Sequence, residues 1–277
     1  MSRTILPAVA LFFHASSGAE PLIVDHGRLF VPMTVNGQQT EALLDSGAEM
    51  TVIDPVLARR AGILAGAQVE MKGTGATSAK ANFAHDVRIA AIGVDLGPKD
   101  VVVLDLSEVA SRLIKRPTIA ILGRDIFDSA RLRIDLQQKD VRTLGKYEVP
   151  KGIALPLTGH KGIESIPVTV EGTAVAAELD FGNGSLPIVS RGIVNKLGLK
   201  VTGKNSAGGI GGAVDRETVV LPTLIVAGAT FRDVTATVDE KDEGLMMNIG
   251  TTILRHFVVT TDFTGRAAYF EPVAGIR

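Results

Sequence analysis

Two aspartates stand in matching surroundings 135 residues apart, each closing an apolar run and each followed, two residues on, by glycine. The first context reads Ala42-Leu43-Leu44-Asp45-Ser46-Gly47-Ala48, the second Ala177-Glu178-Leu179-Asp180-Phe181-Gly182-Asn183. The offset reaches beyond the acids, because Val31-Pro32-Met33-Thr34-Val35-Asn36-Gly37 aligns with Ile166-Pro167-Val168-Thr169-Val170-Glu171-Gly172. A duplication with one carboxyl group per copy predicts a pseudo-symmetric molecule whose acids meet between the copies. Carboxyl groups held together do not both ionise readily, so one keeps its proton while the other acts as a base. Such a pair can activate a water and polarise a carbonyl with neither a metal nor a nucleophilic side chain. The plain alternative for each acid is a turn residue bonded to its own backbone.

The elements that must position these acids read mostly as strands. Leu29, Val31, Met33 and Val35 alternate with Phe30, Pro32 and Thr34, then Asn36-Gly37 turns the chain back through Gln39 to Leu44. The second copy repeats this with Ile166, Val168 and Val170, a turn at Glu171-Gly172, and a return strand through Val175 to Leu179. Pro32 and Pro167 point to a strand edge or a strand start. Behind each acid a short helix is predicted. One runs from Pro55, capped by Asp54, to Arg60 and stops near Gly62; the other runs from a Ser190 cap to about Leu197 and stops near Gly198. The helix stops are 136 residues apart, so copy two holds one extra residue near Asn183-Gly184.

Glycine-rich turns come next, Gly73-Thr74-Gly75 and Gly208-Gly209-Ile210-Gly211-Gly212, followed by strands over 87–92, 101–106, 219–226 and 234–238. Each copy then closes on an apolar-Gly element with a helix behind it, Ile121-Leu122-Gly123 and Asn248-Ile249-Gly250. Asp135 and Asp262 also repeat, but each precedes a turn and reads as a turn acid. No Lys-Ser/Thr follows 208–212, which argues for a hairpin tip and against a phosphate cradle. Asp180-Phe181-Gly182 lacks the companion motifs of a kinase. Pro150, Gly152, Pro156 and Gly159 place a linker over 148–159, between lobes at 20–147 and 160–277.

Composition bounds the function. A net charge of −1 gives no basic footprint for nucleic acid, and aromatic residues at 4% with no Trp supply neither a base-stacking surface nor a sugar platform. With no Cys there is no disulfide framework, thiolate nucleophile or Cys-bound metal, and the five His are scattered. No cofactor and no metal site are expected.

The order of elements resembles the retropepsin-like and pepsin-like aspartic peptidases over nearly the whole chain after its leader. Leu43-Leu44-Asp45-Ser46-Gly47-Ala48-Glu49-Met50-Thr51-Val52-Ile53 carries the likeness most strongly. Ile121-Leu122-Gly123 and Asn248-Ile249-Gly250 resemble the family's second signature, and Gly73-Thr74-Gly75 a retropepsin flap tip. Neither Tyr147 nor Tyr269 falls in a flap. The resemblance implies an all-β fold with a few short helices, in two pseudo-twofold-related acid-protease-like lobes on one chain. It implies Asp45 and Asp180 as catalytic acids and Ser46, Gly47, Phe181 and Gly182 as their supporting loops. Gly73, Thr74, Gly75, Gly209, Ile210 and Gly211 become flap residues over an extended peptide or protein substrate. The expected form is a monomer. Family members carry Thr or Ser after each acid, bonded across the lobe interface; Ser46 keeps that role, whereas Phe181 has no polar side-chain atom. That departure predicts weak or narrow cleavage, or a non-catalytic peptide-binding protein on the same scaffold. A two-carboxylate glycosidase is the third reading, disfavoured by the missing Trp.

Arg3, the apolar run Ile5 to Phe13 and the small residues Ser17 and Ala19 have the order of a secretory signal peptide over 1–19, cut after Ala19. The alternative is a buried first strand or helix. The run is too short for a permanent membrane anchor, so the protein is expected to be exported, periplasmic or secreted. N-terminal sequencing of the protein from its native host should begin at Glu20; intact Met1 in a cytoplasmic fraction would contradict this.

Overall fold

The computed structural model describes residues 18–160 and 162–273. The expected leader lies outside these residues apart from Gly18 and Ala19, and Glu20 opens the first strand, Glu20–Pro21. Among the described residues no helix is long and apolar enough to cross a membrane.

The chain folds into two lobes, each built on an eight-stranded sheet, and the two sheets have the same strand order. In lobe one the hairpin Arg28–Val35 and Gln38–Leu44 turns at Asn36-Gly37; in lobe two Ile163–Val170 and Thr173–Leu179 turn at Glu171-Gly172. All four turn residues have positive φ, as a two-residue turn matched to the strand twist requires. The prolines sit where the strand changes partner. Beside Pro32 the outer neighbour is lost at Phe30, and the next one begins at Met33. Around Pro167 the same gap falls between Ser165 and Thr169. The missing N–H therefore removes no ladder bond on that side.

The two helices behind the acids are Pro55–Arg60, where Asp54 accepts from the Val56 N–H at 2.8 Å, and Arg191–Leu197, where Ser190 accepts from the Ile193 N–H at 3.2 Å. The strands that follow the glycine-rich tips are longer than expected, Ser78–Ala91 with Val94–Val103 and Val214–Val226 with Ala229–Asp239. Asp95, Gly97, Pro98 and Lys99 are poor strand formers, but pairing with Val87–Ala91 through bulges overrides local preference. A helical segment at 107–114 was not anticipated.

A third sheet joins the lobes. Leu132–Asp135 of lobe one pairs antiparallel with Phe257–Asp262 of lobe two, flanked by Asp140–Thr143 with Glu20–Pro21 on one side and by Ala267–Pro272 with Ile153–Pro156 on the other. The span read as a linker thus contributes Ile153–Pro156 to this sheet and Thr158–His160 to lobe two's. Asp135 accepts the Gln137 and Gln138 N–H groups and Asp262 that of Gly265, so both hold turns. One continuous apolar core runs from Leu44 and Phe127 in lobe one to Phe181 and Leu179 in lobe two.

A buried ion cluster also crosses the interface. Glu164 of lobe two, 1% exposed, accepts from both terminal nitrogens of Arg266 at 2.6 Å and from Arg124 of lobe one at 2.7 Å. Burial alone would raise its pKa, but the hydrogen bonds and charges of Arg266 and Arg124 outweigh that and hold it below the ordinary 4.5. Its contribution to stability is therefore complete above that value and is lost as pH falls through the folded pKa. Glu164→Ala removes the carboxylate shared by Arg266 and Arg124, which keep Leu157 O and Asp128 respectively, and should cost about 2 kcal/mol in urea unfolding at pH 7. A loss below about 0.5 kcal/mol would show that solvent screens the cluster.

Candidate active site

Asp45 and Asp180 leave the ends of equivalent strands, and equivalent backbone bonds hold them. The Asp45 N–H donates to Leu122 O at 3.0 Å and the Asp180 N–H to Ile249 O at 3.1 Å. One step further on, Arg124 N–H donates to Ala48 O at 2.8 Å and Thr251 N–H to Asn183 O at 2.9 Å. The apolar-Gly strands thread each acidic loop so tightly that a Cβ on Gly123 would lie 2.5 Å from Met50 O, and one on Gly250 2.0 Å from Asn183 O.

These constraints bring the acids face to face. Each carboxyl group stands beside the other's loop, close enough for the two to feel each other's charge. Glycine two residues after each acid makes room for the other: a Cβ on Gly182 would lie 2.2 Å from Asp45 Cγ, and one on Gly47 3.1 Å from Asp180 Cγ. Each residue keeps part of its surface open to the cleft while protein surrounds its carboxyl group.

The donors around the pair are unequal. Asp180 accepts from the Gly182 N–H at 2.9 Å, the Asn183 N–H at 3.1 Å and Asn248 Nδ2 at 2.8 Å. Asp45 accepts from the Gly47 N–H at 2.8 Å, with the Ala48 N–H as a second, weaker backbone donor and no side-chain donor like Asn248. Burial and the charge of Asp180 push the Asp45 carboxyl up to about 8. Asp180 is also raised by burial, with the Asn248 and loop donors pulling against it. The extra donors favour the charge on Asp180 and leave the shared proton on Asp45. Arg28, 4% exposed, adds a guanidinium beside them; burial lowers its pKa, while the charges of Asp180 and then Asp45 counter that.

The loops are braced across the lobe interface on one side by hydrogen bonds and on the other by rings. Ser46 Oγ donates to Leu179 O at 2.6 Å and accepts from the Phe181 N–H at 3.0 Å. Phe181, fully buried, stacks on Phe127 of lobe one at 6.0 Å and 14°, and Phe127 stacks in turn on Phe263 at 5.2 Å. The support expected to be lost at Phe181 is therefore replaced by aromatic packing. The extra residue of copy two is absorbed by Asn183, whose Oδ1 accepts the Ser185 N–H at 2.9 Å and whose Nδ2 donates to Asn248 Oδ1 at 2.8 Å.

Above the acids lies a cavity of about 610 Å³ between the lobes. The two glycine-rich tips close its roof against each other. Gly75 N–H donates to Ile210 O at 3.0 Å and Thr77 N–H to Gly211 O at 2.9 Å, while Gly73 and Thr74 abut Ile210 and Gly209. Arg112, on the unanticipated helical segment, donates to Gly209 O at 2.8 Å and so ties lobe two's tip to lobe one. Of the residues singled out from the sequence, Asp45, Gly47, Gly73, Thr74, Asp180, Gly182, Gly209 and Ile210 line this cavity, Ser46 and Phe181 are buried in the lobe contact, and Gly75 and Gly211 lie where the tips meet. Arg28, Asn183, Asn248, Arg112 and Phe127 were missed. Asn248 left a signal, as a polar residue where the other copy has Ile121, and Asn183 another, as the place of copy two's extra residue. Among the described residues no cluster of three or more His, Asp or Glu is placed to hold a metal ion.

A family model described as aspartyl protease matches the chain twice, over residues 31–126 and 166–253, which together exceed half its length. The chain belongs to the aspartyl protease family, and the repeated match coincides with its two lobes. No curated protein matches it.

Two substitutions test the bracing. Ser46→Ala strips partners from a buried carbonyl and a buried N–H and should cost about 2 kcal/mol in urea unfolding. Phe181→Thr restores the family's residue type but empties the ring stack, and should cost about 3 kcal/mol. A Phe181→Thr protein as stable as wild type would show that the Phe127 contact contributes nothing.

Proposed function

We propose that the protein is an aspartic endopeptidase that cleaves extended peptide segments of protein substrates in the interlobe cleft. The observation that supports this most is the apposed pair Asp45 and Asp180, with unequal donor sets, at the floor of a roofed cavity. In this reading a water lies between the two carboxyl groups and the scissile carbonyl. Asp180, ionised, takes a proton from the water as its oxygen bonds to the carbonyl carbon. Asp45 gives its proton to the carbonyl oxygen, so the tetrahedral intermediate forms as a neutral diol. Collapse of the diol breaks the C–N bond; Asp180 passes its acquired proton to the departing amine, and a diol hydroxyl returns one to Asp45. The flap tips part to admit the chain and then bond its backbone as a strand would.

The second reading is a peptide-binding protein with little or no turnover. It is favoured by Phe181, which leaves Ser46 as the one hydroxyl of the acidic loops placed at the interlobe brace. We further propose that the protein acts as an exported monomer, with a cut after Ala19 releasing a chain that starts at the strand residue Glu20.

Asp45→Asn and Asp180→Asn keep shape but remove proton sharing. Each should lower kcat/KM on a peptide library by at least about a thousandfold while the urea midpoint stays near wild type. In the wild type the alkaline limb of the pH profile should lie near the Asp45 value of about 8, because above it no carboxyl proton remains to donate. Activity that survives either substitution would overturn the mechanism. A folded wild type that binds peptides without cleaving them would select the second reading.

A further inference from the structure

The duplicated lobes present unlike walls to the shared cavity. Strand register matches their positions one to one. In lobe one the cleft floor beside the acid carries Leu43 paired with Ile121; in lobe two the same two positions hold Glu178 and Asn248. Val102, the partner of Val52, is answered by Thr237, the partner of Ile188. On the strand that descends from each flap, Ala81 opposite Val69 is answered by Arg216 opposite Asn205. Lobe one's half thus belongs to an apolar cluster of its own, which includes Leu43, Val102 and Ile121. Lobe two's half is polar at every matched position but Ile188.

Arg216 is the feature that calls for a ligand. It is 8% exposed and lines the cavity. Its Nη1 donates to Val238 O at 3.3 Å and lies 3.5 Å from Asp239, but its Nε is buried without a hydrogen-bond partner among the described residues. The guanidinium is thus held by one long hydrogen bond and one ion pair at 3.5 Å, which leaves it donor capacity for a carboxylate brought into the cavity that it lines. A second guanidinium, Arg28, reaches into lobe two's loop, with Ser185 Oγ at 3.4 Å, and its charge faces Asp180 and Asp45. Glu178 opposes such a carboxylate from the floor, where it accepts from Asn248 Nδ2 at 3.3 Å. A side chain long enough to reach the wall is therefore preferred to a short one at the floor.

We propose that the cleft selects peptides with a large apolar side chain in lobe one's half and a glutamate in lobe two's half, the glutamate carboxylate being read by Arg216. Cleavage between these residues rests on the endopeptidase reading; their recognition does not.

Capped decapeptides differing only in a central Leu-Leu, Leu-Glu, Glu-Leu, Leu-Lys or Lys-Leu pair separate the two. Cleavage is measured with the wild type and binding, by fluorescence anisotropy, with full-length Asp180→Asn protein. One of the two Glu peptides should bind at least about tenfold tighter than the Leu-Leu and Lys peptides. Adding Arg216→Ala should erase that preference, and Arg216→Lys should retain part of it. Equal binding of all five, tightest binding of Leu-Leu or a Lys peptide, or no binding of any overturns the inference. So does a Glu preference that survives Arg216→Ala at an unchanged unfolding midpoint. Selective binding without cleavage sinks the endopeptidase reading and leaves this one standing; cleavage without a Glu preference does the reverse.

Discussion

The structure depends on keeping two carboxyl groups in contact inside a protein. In water such a pair would separate or ionise. Here the loops that carry them are locked from below by the threaded strands at Gly123 and Gly250 and from the side by Ser46 and Phe181. What remains is to hold one proton between two bases. The price is stability: with Asp45 raised to about 8, the folded chain keeps a proton that the unfolded chain has released, so the site's contribution falls as pH rises from the ordinary carboxyl range to that value. The interlobe sheet, the Glu164 cluster and the Phe181–Phe127–Phe263 stack lie at the same interface and offset that cost where it arises.

Joining two copies in one chain frees them to diverge. The backbone that sets the acids in place stays matched, down to paired hydrogen bonds that differ by 0.1 Å. The side chains do not. Copy one keeps a hydroxyl after its acid and an apolar cleft wall; copy two puts a ring into the interface and polar groups on the wall. Asn248 shows the two roles meeting, since it both replaces an apolar floor residue and donates to Asp180. The same divergence makes the acids inequivalent, which assigns the proton to one of them.

The sequence announced the features that local chemistry dictates. Asn36-Gly37, Asp54-Pro55, Ser190 and Gly198 each fix a turn or a helix end through their own backbone preferences, and each stands where its residue type required. The repeat then paired Asp45 with Asp180, because an offset shared by strands, turns and acids leaves little freedom in how two copies fold. What stayed hidden depends on partners distant in sequence. The joining sheet is made by Leu132–Asp135 and Phe257–Asp262, over 100 residues apart, and neither carries a mark of the other. Phe181 read as a missing hydroxyl because nothing local says that Phe127 lies across the interface. Nothing local marks Arg28, Arg112 or Arg216; the burial of Arg28 and Arg216 and the bond from Arg112 to Gly209 O belong to the assembled lobes.

Carbon-13 NMR of aspartate carboxyl groups, compared between wild type, Asp45→Asn and Asp180→Asn, observes the shared proton itself. At pH 6 the wild type should show one protonated carboxyl that titrates near 8 and is absent from Asp45→Asn. In Asp180→Asn it should titrate lower, because the neighbouring charge is gone. A wild-type spectrum in which both cleft carboxyls are ionised at pH 6 and titrate in the ordinary carboxylate range would contradict the account.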